Sequence, residues 1–280
     1  MLIAEKKLEI KEIVKNARSE GRTIGLVPTM GYLHKGHVSL INRAKMDGCF
    51  TVVSIFVNPL QFGPTEDFEK YPRDIERDIE ILKQADTDVA FIPSISEMYH
   101  NTHLTQVDVS ILSEKLEGVF RPGHFKGVCT VVAKLFNIIR PDRAYFGWKD
   151  AQQLIIIRKM VADLDFNLEI VPVPTVREDD GLAASSRNVY LSDQDRKKAC
   201  VLSKALHKIR KMVELDKITD VRILLEESKK IIETENVELQ YIEAVDLETL
   251  KPVTSIKKNT GILAAIKVGN VRLIDNVIWE

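Results

Sequence analysis

The chain has 280 residues, 29% charged and 45% hydrophobic, and its 40 Lys and Arg nearly balance 41 Asp and Glu for a formal net charge of −1. That length suits one large domain or two ordinary ones, and the balance excludes a protein coated in basic residues for nucleic acid. Cys49, Cys129 and Cys200, an odd number widely spaced, read as reduced cytoplasmic thiols, and no apolar stretch approaches a membrane span.

Residues 1–21 read as an amphipathic helix with charges throughout, not as a signal peptide. From there to about residue 176, short β-rich runs alternate with helical patterns. Strands are predicted at 23–27, 50–57, 88–92, 143–146 and 168–173, and helices at 36–47, 72–85, 127–140 and 150–163. The 72–85 helix has Pro72 at its start and Ile75, Ile79 and Leu82 on one face. The 127–140 segment is apolar nearly all round and stops before Pro141, as a buried helix would. The alternation predicts an α/β fold: a Rossmann-like, doubly wound parallel sheet with ligands beyond the carboxyl ends of its strands.

After residue 176 the pattern changes. A turn-rich stretch, REDDGLAASSRN, leads to helices at 193–214, capped by Ser192, and 220–234, capped by Thr219. Strands follow at 237–245, 261–267 and 271–278. The expected division is a first domain over 1–176 and a smaller C-terminal α+β domain over 177–280 that acts as a lid, with the polar stretch as a functional linker or lid.

The most informative stretch is 28–45, PTMGYLHKGHVSLINRAK. It reads as the end of the first strand, a glycine turn and a helix start carrying His34 and His37. Unpaired N–H groups and the positive dipole end suit an anion there. Gly31 and Gly36 let backbone approach a ligand, and both imidazoles can donate to a phosphate oxygen. His-x-Gly-His in this setting resembles the nucleotidyltransferase superfamily. A metal site formed with His124 of RPGHF is the competing reading, but no acidic residue stands at ligand spacing. A nicotinamide oxidoreductase would need a Gly-x-Gly-x-x-Gly turn, which the first loop lacks.

Further along, Gln61 lies in FVNPLQF, and Asp150 reads as an N-cap after Gly147, Trp148 and Lys149. Only one of Gln152 and Gln153 can face inward. Residues 179–188 gather a glycine, two hydroxyls and an arginine, a phosphate-binding combination that is equally a plain linker.

Together VPTMGYLHKGH (27–37), SIFVNPLQFGPTEDFEKYPRD (54–74), the 116–137 stretch with RPGHFKGV, PDRAYFGWKDAQQL (141–154), DGLAASSRNVYL (180–191) and RLIDN (272–276) resemble the pantoate–β-alanine ligase family over almost the whole chain. The resemblance implies a cytoplasmic homodimer that uses ATP and Mg²⁺ to join pantoate to β-alanine through pantoyl adenylate, releasing AMP and pyrophosphate. It implies His34, His37, Lys149 and Arg187 as catalytic residues, with His37 at the family's proton-donor position. For ATP it implies Met30, Gly31, His34, Gly36, His37, Gly147, Lys149, Asp150, Val176, Ala184, Ser185, Ser186 and Arg187. Gln61 and Gln153 would hold pantoate, and Gln61 also β-alanine; no metal ligands are assigned. Lys35, Trp148 and Ala184 depart from the family's usual residues without removing a catalytic group.

Overall fold

An apolar triplet opens the chain as a strand. The computed structural model describes residues 1–64, 66–100 and 103–280, so Thr65 of the 54–74 motif lies outside the described residues. Strand β1 (Leu2–Ala4) precedes helix α1 (Lys7–Ser19), where the run of charges predicts helix throughout. The helix starts late because Glu9 Oε2 accepts the N–H groups of Glu5 and Lys6 at 2.9 and 3.0 Å, which closes its first turn there.

The chain then follows the predicted alternation: β2 (Ile24–Thr29), α2 (Lys35–Met46), β3 (Phe50–Ile55), α3 (Ile75–Gln84), β4 (Val89–Phe91), the short helices α4 (Ile95–Met98) and α5 (Glu117–Phe120), α6 (His124–Ile139), β5 (Arg143–Gly147), α7 (Ala151–Asp163) and β6 (Glu169–Val173). Two helix starts differ from expectation. Helix α3 begins at Ile75 instead of 72, because Asp74 caps it by accepting the Arg77 N–H. Helix α6 begins at His124 instead of 127, because Gly123 takes a left-handed φ of +82° and turns the chain into it.

The six strands form one parallel sheet in the order β1-β4-β3-β2-β5-β6. Chain order reverses between β2 and β5, the topological switch point of a doubly wound sheet. Strand β2 is central yet contains Pro28. Its odd-numbered residues direct their carbonyls to β3, as Thr23 and Thr29 do toward the N–H groups of Phe50 and Phe56. Pro28 therefore faces β5, whose pairing with β2 is limited to Gly25 and Leu26. Val27, Leu33, Ile41, Val53, Leu82 and Tyr145 form a buried cluster in this unit, where each aliphatic side chain contributes about 1.5–3 kcal/mol by leaving water.

The second unit holds α8 (Asp193–Glu214), α9 (Val221–Ile232) and an antiparallel sheet of β7 (Glu238–Asp246), β8 (Thr260–Val268) and β9 (Val271–Trp279), in the order β7-β8-β9. Asp220 rather than Thr219 caps α9, its carboxylate accepting the Arg222 N–H at 2.9 Å. Leu202, Leu206, Ile209, Leu224, Ile262 and Ile266 are among its core residues.

The two compact units are Met1–Gly147 with Ile156–Val173, and Trp148–Ile155 with Pro174–Glu280. The second starts at Pro174 rather than 177, and it includes the segment Trp148–Ile155 that the sequence assigns to the first. Among the described residues, no helix is long and apolar enough to cross a membrane.

Candidate active site

In the first unit the β2–α2 connection is built around its two histidines. His34 is the N-cap of α2, and its Nδ1 accepts the Gly36 N–H at 3.1 Å. His37, three residues on, accepts the His34 N–H through its own Nδ1 at 3.2 Å. The result is a capping box made of imidazoles, with ring centroids 4.0 Å apart. This changes the expected source of donors. Two N–H groups at the helix start are already taken, and since each Nδ1 accepts, each neutral ring carries its proton on Nε2. The capping box thereby fixes both rings in direction at the positive helix end.

The turn ahead of them is strained and held from α3. Gly31 has φ +82° and Tyr32, which is not glycine, has φ +50°. Asp78, fully buried, accepts the Tyr32 N–H at Oδ2 and the Leu33 N–H at Oδ1, both at 2.7 Å. A Cβ on Gly31 would meet Asp78 Oδ2 at 3.0 Å, so this glycine serves the turn. Arg77 donates to the Leu33 carbonyl at 2.9 Å and lies over the Tyr32 ring at 4.8 Å. Burial pushes the Asp78 carboxyl above its ordinary value, against the pull of those two N–H groups and of Arg77. Thr29 adds a further tie, accepting the Gly31 N–H at 3.2 Å and donating to the Ser54 carbonyl at 2.8 Å.

Gln61 ends the 3-10 turn Pro59–Gln61 after β3, and its amide is oriented on both sides. Its Oε1 accepts from Asn58 Nδ2 at 3.0 Å, and its Nε2 donates to Met30 Sδ at 2.9 Å. Buried Asn58 is itself fixed: Nδ2 also donates to the Gly127 carbonyl at 3.0 Å, and Oδ1 accepts the Tyr99 hydroxyl at 2.8 Å. Burial pushes the Tyr99 phenol well above its usual range, so it remains a donor. The Gln61 carbonyl accepts from His124 Nδ1 at 2.8 Å, while His124 Nε2 accepts from Arg121 at 3.0 Å. Both ring nitrogens of His124 are thereby used, which removes the metal reading of RPGHF. Among the described residues, no group of three or more His, Cys, Asp or Glu could hold a metal. Arg121 also makes two 2.7 Å contacts to Glu66. Burial alone would raise the Glu66 carboxyl, but Arg121, His124 and the Gly63 N–H together hold it below its usual value.

In the second unit the 3-10 turn Trp148–Asp150 runs directly into α7, and Lys149 Nζ lies 3.1 Å from Asp150 Oδ1. Trp148 is buried, and its indole N–H donates to Glu280 Oε2 at 3.2 Å. Gln152 is 3% exposed, whereas Gln153 is half-buried. The polar stretch after residue 176 folds as a hairpin. Ala184 N–H donates to the Val176 carbonyl at 2.9 Å, Glu178 N–H to the Leu182 carbonyl at 2.8 Å, and Gly181 turns the tip at φ +90°. Arg196 pins it through Glu178 at 2.6 Å and Asp180 at 2.7 Å. Ser185 then caps the 3-10 turn Ser186–Tyr190, accepting the Arg187 N–H at 3.3 Å. Val176, Ala184, Ser185, Ser186 and Arg187 thus belong to one small structure.

The family model described as pantoate-beta-alanine ligase matches residues 2–278. The chain belongs to the pantoate–β-alanine ligase family. A pantothenate synthetase of Acetivibrio thermocellus is 50% identical over 281 residues, covering 100% of both chains. Another, from Thermosipho africanus, is 51% identical and covers 99% of this chain and 100% of its own. Among solved structures, a pantothenate synthetase of Thermus thermophilus gives a TM-score of 0.94 at 44% identity over 99% of each chain. A pantoate-beta-alanine ligase of Francisella tularensis, described as complexed with beta-gamma ATP and beta-alanine, gives 0.79 at 37% identity over 99% of this chain and 97% of that one. Within this ligase framework, Asp78, Asn58, Tyr99 and Asn276 are the residues that motif reading passes over. Asp78 had one local signal: a carboxylate four residues before buried Leu82, on the inward face of an amphipathic helix.

Proposed function

We propose that the chain performs the reaction of its family: ATP-dependent condensation of pantoate with β-alanine. The observation that carries this reading is the capping box of two imidazoles at the start of α2, directly after β2, in the same unit as the doubly fixed Gln61 amide. In the first step a pantoate carboxylate oxygen attacks the α-phosphorus. The bond to the bridging oxygen breaks, and pyrophosphate leaves with that electron pair. In the second step the β-alanine amine attacks the acyl carbon, the acyl–oxygen bond breaks, and AMP departs as the amide forms.

His34 and His37 donate to the α-phosphate as charge gathers on it, and His37 is the proton donor. Met30, Gly31 and Gly36 line the nucleotide with backbone. In the second unit Lys149, Ser185, Ser186 and Arg187 bind the triphosphate and the leaving pyrophosphate, while Gly147, Asp150, Val176 and Ala184 serve adenine and ribose. Gln61 and Gln153 bind pantoate, and Gln61 also β-alanine. Neutral amides can grip hydroxyls and a carboxylate without a strong ion pair that would blunt the nucleophile. Mg²⁺ arrives on the triphosphate as part of the substrate, a mode in which phosphates and water supply most of its ligands. A cytoplasmic homodimer belongs to the same reading, and sedimentation as a monomer would remove that part.

The test measures AMP and pyrophosphate release from Mg·ATP with pantoate and β-alanine each omitted in turn. The expected result is AMP and pantothenate only when both acids are present. A stable nucleotide conjugate in place of AMP would mean a nucleotidyltransferase, and no turnover in any combination would reject the enzyme reading.

A further inference from the structure

The RLIDN motif of β9 has no part in the chemistry described so far, yet its last two residues are the buried polar residues of the strand. Asp275 and Asn276 are 5% and 6% exposed. They sit in unbroken register with Ala264 and Leu263 of β8, so as successive residues of a regular edge strand they point to opposite faces. Burying a carboxylate and an amide costs free energy unless every group finds a partner. Each of these two finds its partner in a different phosphate-binding segment of the same unit.

Asn276 Nδ2 donates to the Trp148 carbonyl at 2.7 Å and to the Lys149 carbonyl at 3.1 Å. Both protons of the amide are thus spent on the backbone of the 3-10 turn that carries Lys149. Asp275 takes the Arg177 guanidinium in a two-point grip at 2.6 and 3.0 Å, and it also accepts the Asn276 N–H at 2.8 Å. Arg177 in turn donates to the Gly181 carbonyl at 3.1 Å, which ties the hairpin leading to Ser185, Ser186 and Arg187. One dipeptide is therefore the common anchor of the Lys149 turn and of the Ser-Ser-Arg hairpin.

We propose that Asn276 is a positioning residue for Lys149, and that with Asp275 it sets the spacing between the lysine turn and the Ser-Ser-Arg hairpin for the triphosphate. Neither side chain is a catalytic residue. This rests on the phosphate role given above to Lys149 and Ser185–Arg187. It goes beyond that role by naming what aligns the two segments and which half of the reaction depends on the alignment. Pyrophosphate leaves in the first half-reaction only, so a displaced Lys149 slows adenylate formation and leaves aminolysis of preformed pantoyl adenylate untouched.

The discriminating variant is Asn276→Asp, which keeps the shape and turns two donors into an oxygen facing two carbonyls. Asn276→Ala is the companion. Adenylate formation is read as pantoate-dependent exchange of labelled pyrophosphate into ATP. Aminolysis is read by adding pantoyl adenylate and β-alanine to the same protein sample. Because both rates come from one sample, their ratio does not depend on the folded fraction. The exchange rate is expected to fall at least about tenfold relative to aminolysis, within the roughly hundredfold that a misplacement of 1 Å costs. Combined with Lys149→Ala, the Asn276 change should add little further loss, as two residues acting through one group do.

Equal losses in both half-reactions, full additivity with Lys149→Ala, or failure of both Asn276 variants to fold would each overturn the proposal and leave a purely structural residue. Normal exchange in Lys149→Ala alone would instead reject the phosphate role of the lysine. Absence of exchange in the wild-type enzyme would reject the adenylate reaction itself.

Discussion

Replacement of Asp78 by Asn tests whether the histidine turn depends on a carboxylate that sits well outside its motif. Asp78 gives one oxygen each to the Tyr32 and Leu33 N–H groups at 2.7 Å, inside a fully buried environment. Asparagine keeps the shape and one acceptor but sets an NH₂ against the other N–H. Losing a hydrogen bond to a charged group costs about 1.5–3 kcal/mol, and an orphaned buried donor about 1–3 kcal/mol, two descriptions of the same loss that are not to be added. Relief of the buried charge offsets part of it, since burial already pushes this carboxyl upward. The net expectation is a destabilisation of about 1–3 kcal/mol at pH 7, read from the urea midpoint at unchanged slope.

The pH dependence has a definite sign. A raised folded value means that the folded state holds the proton more tightly, so this carboxyl's contribution to stability is greatest in acid. It is lost as pH rises from the ordinary aspartate range through the raised value, and the Asn variant lacks that component. Activity should suffer more than stability. Leu33 directly precedes His34, whose N–H engages His37, so relaxation of Tyr32 out of its φ +50° conformation moves both imidazoles. Single-turnover adenylate formation is expected to fall about a hundredfold, the scale of a 1 Å displacement. A variant with both the wild-type urea midpoint and the wild-type single-turnover rate would refute the reasoning.

Three more outcomes follow from the two units taken separately. His37→Ala and Lys149→Ala should each cut adenylate formation by at least about a hundredfold, the scale of losing a transition-state donor, and near-normal turnover in either would remove that residue from the mechanism. Gln153→Ala should raise the KM for pantoate with a small effect on the urea midpoint, whereas Gln152→Ala, at a position 3% exposed, should lower the midpoint; the reverse pattern would exchange their roles. Gly127→Ala would place a Cβ 2.2 Å from the Leu60 carbonyl oxygen and 2.6 Å from Gln61 Cα, so it must push the Gln61 turn aside and raise the KM for pantoate. An unchanged KM would show that α6 yields instead.

The parts of this structure legible in sequence are those that local pattern determines. The apolar run ending at Pro28, the glycine turn and the helical spacing from Val38 to Ala44 give β2 and α2 directly, and the apolar wrap of 127–140 gives a buried α6. What local pattern does not reach is set by distant partners. Strand β1 exists because Leu2–Ala4 pairs with Val89–Phe91, and three residues carry too little periodicity to announce it. The imidazole capping box was hidden because Ser, Thr, Asp and Asn are the usual caps, so His34 reads as the first turn rather than as the cap itself. The 179–188 stretch reads as a linker by composition, since the residues that order it, Asp275 and Arg196, lie far along the chain. His124 looks like a ligand candidate until its two nitrogens are seen to be occupied by Gln61 and Arg121.

Pro28 bears on more than the local shape of β2. In a parallel sheet each strand can zip to its neighbour for as long as donors and acceptors alternate, and between β2 and β5 the fastener stops at Leu26 and Ala144. Beyond that tooth, residue 28 has no N–H to offer toward β5, so the next rung of the ladder lacks its donor on the β2 side. The early end of the ladder at the switch point thus coincides with a missing donor in the covalent structure of one residue. Any other residue at 28 would bring an N–H to this position, at the place where the chain turns toward His34 and His37.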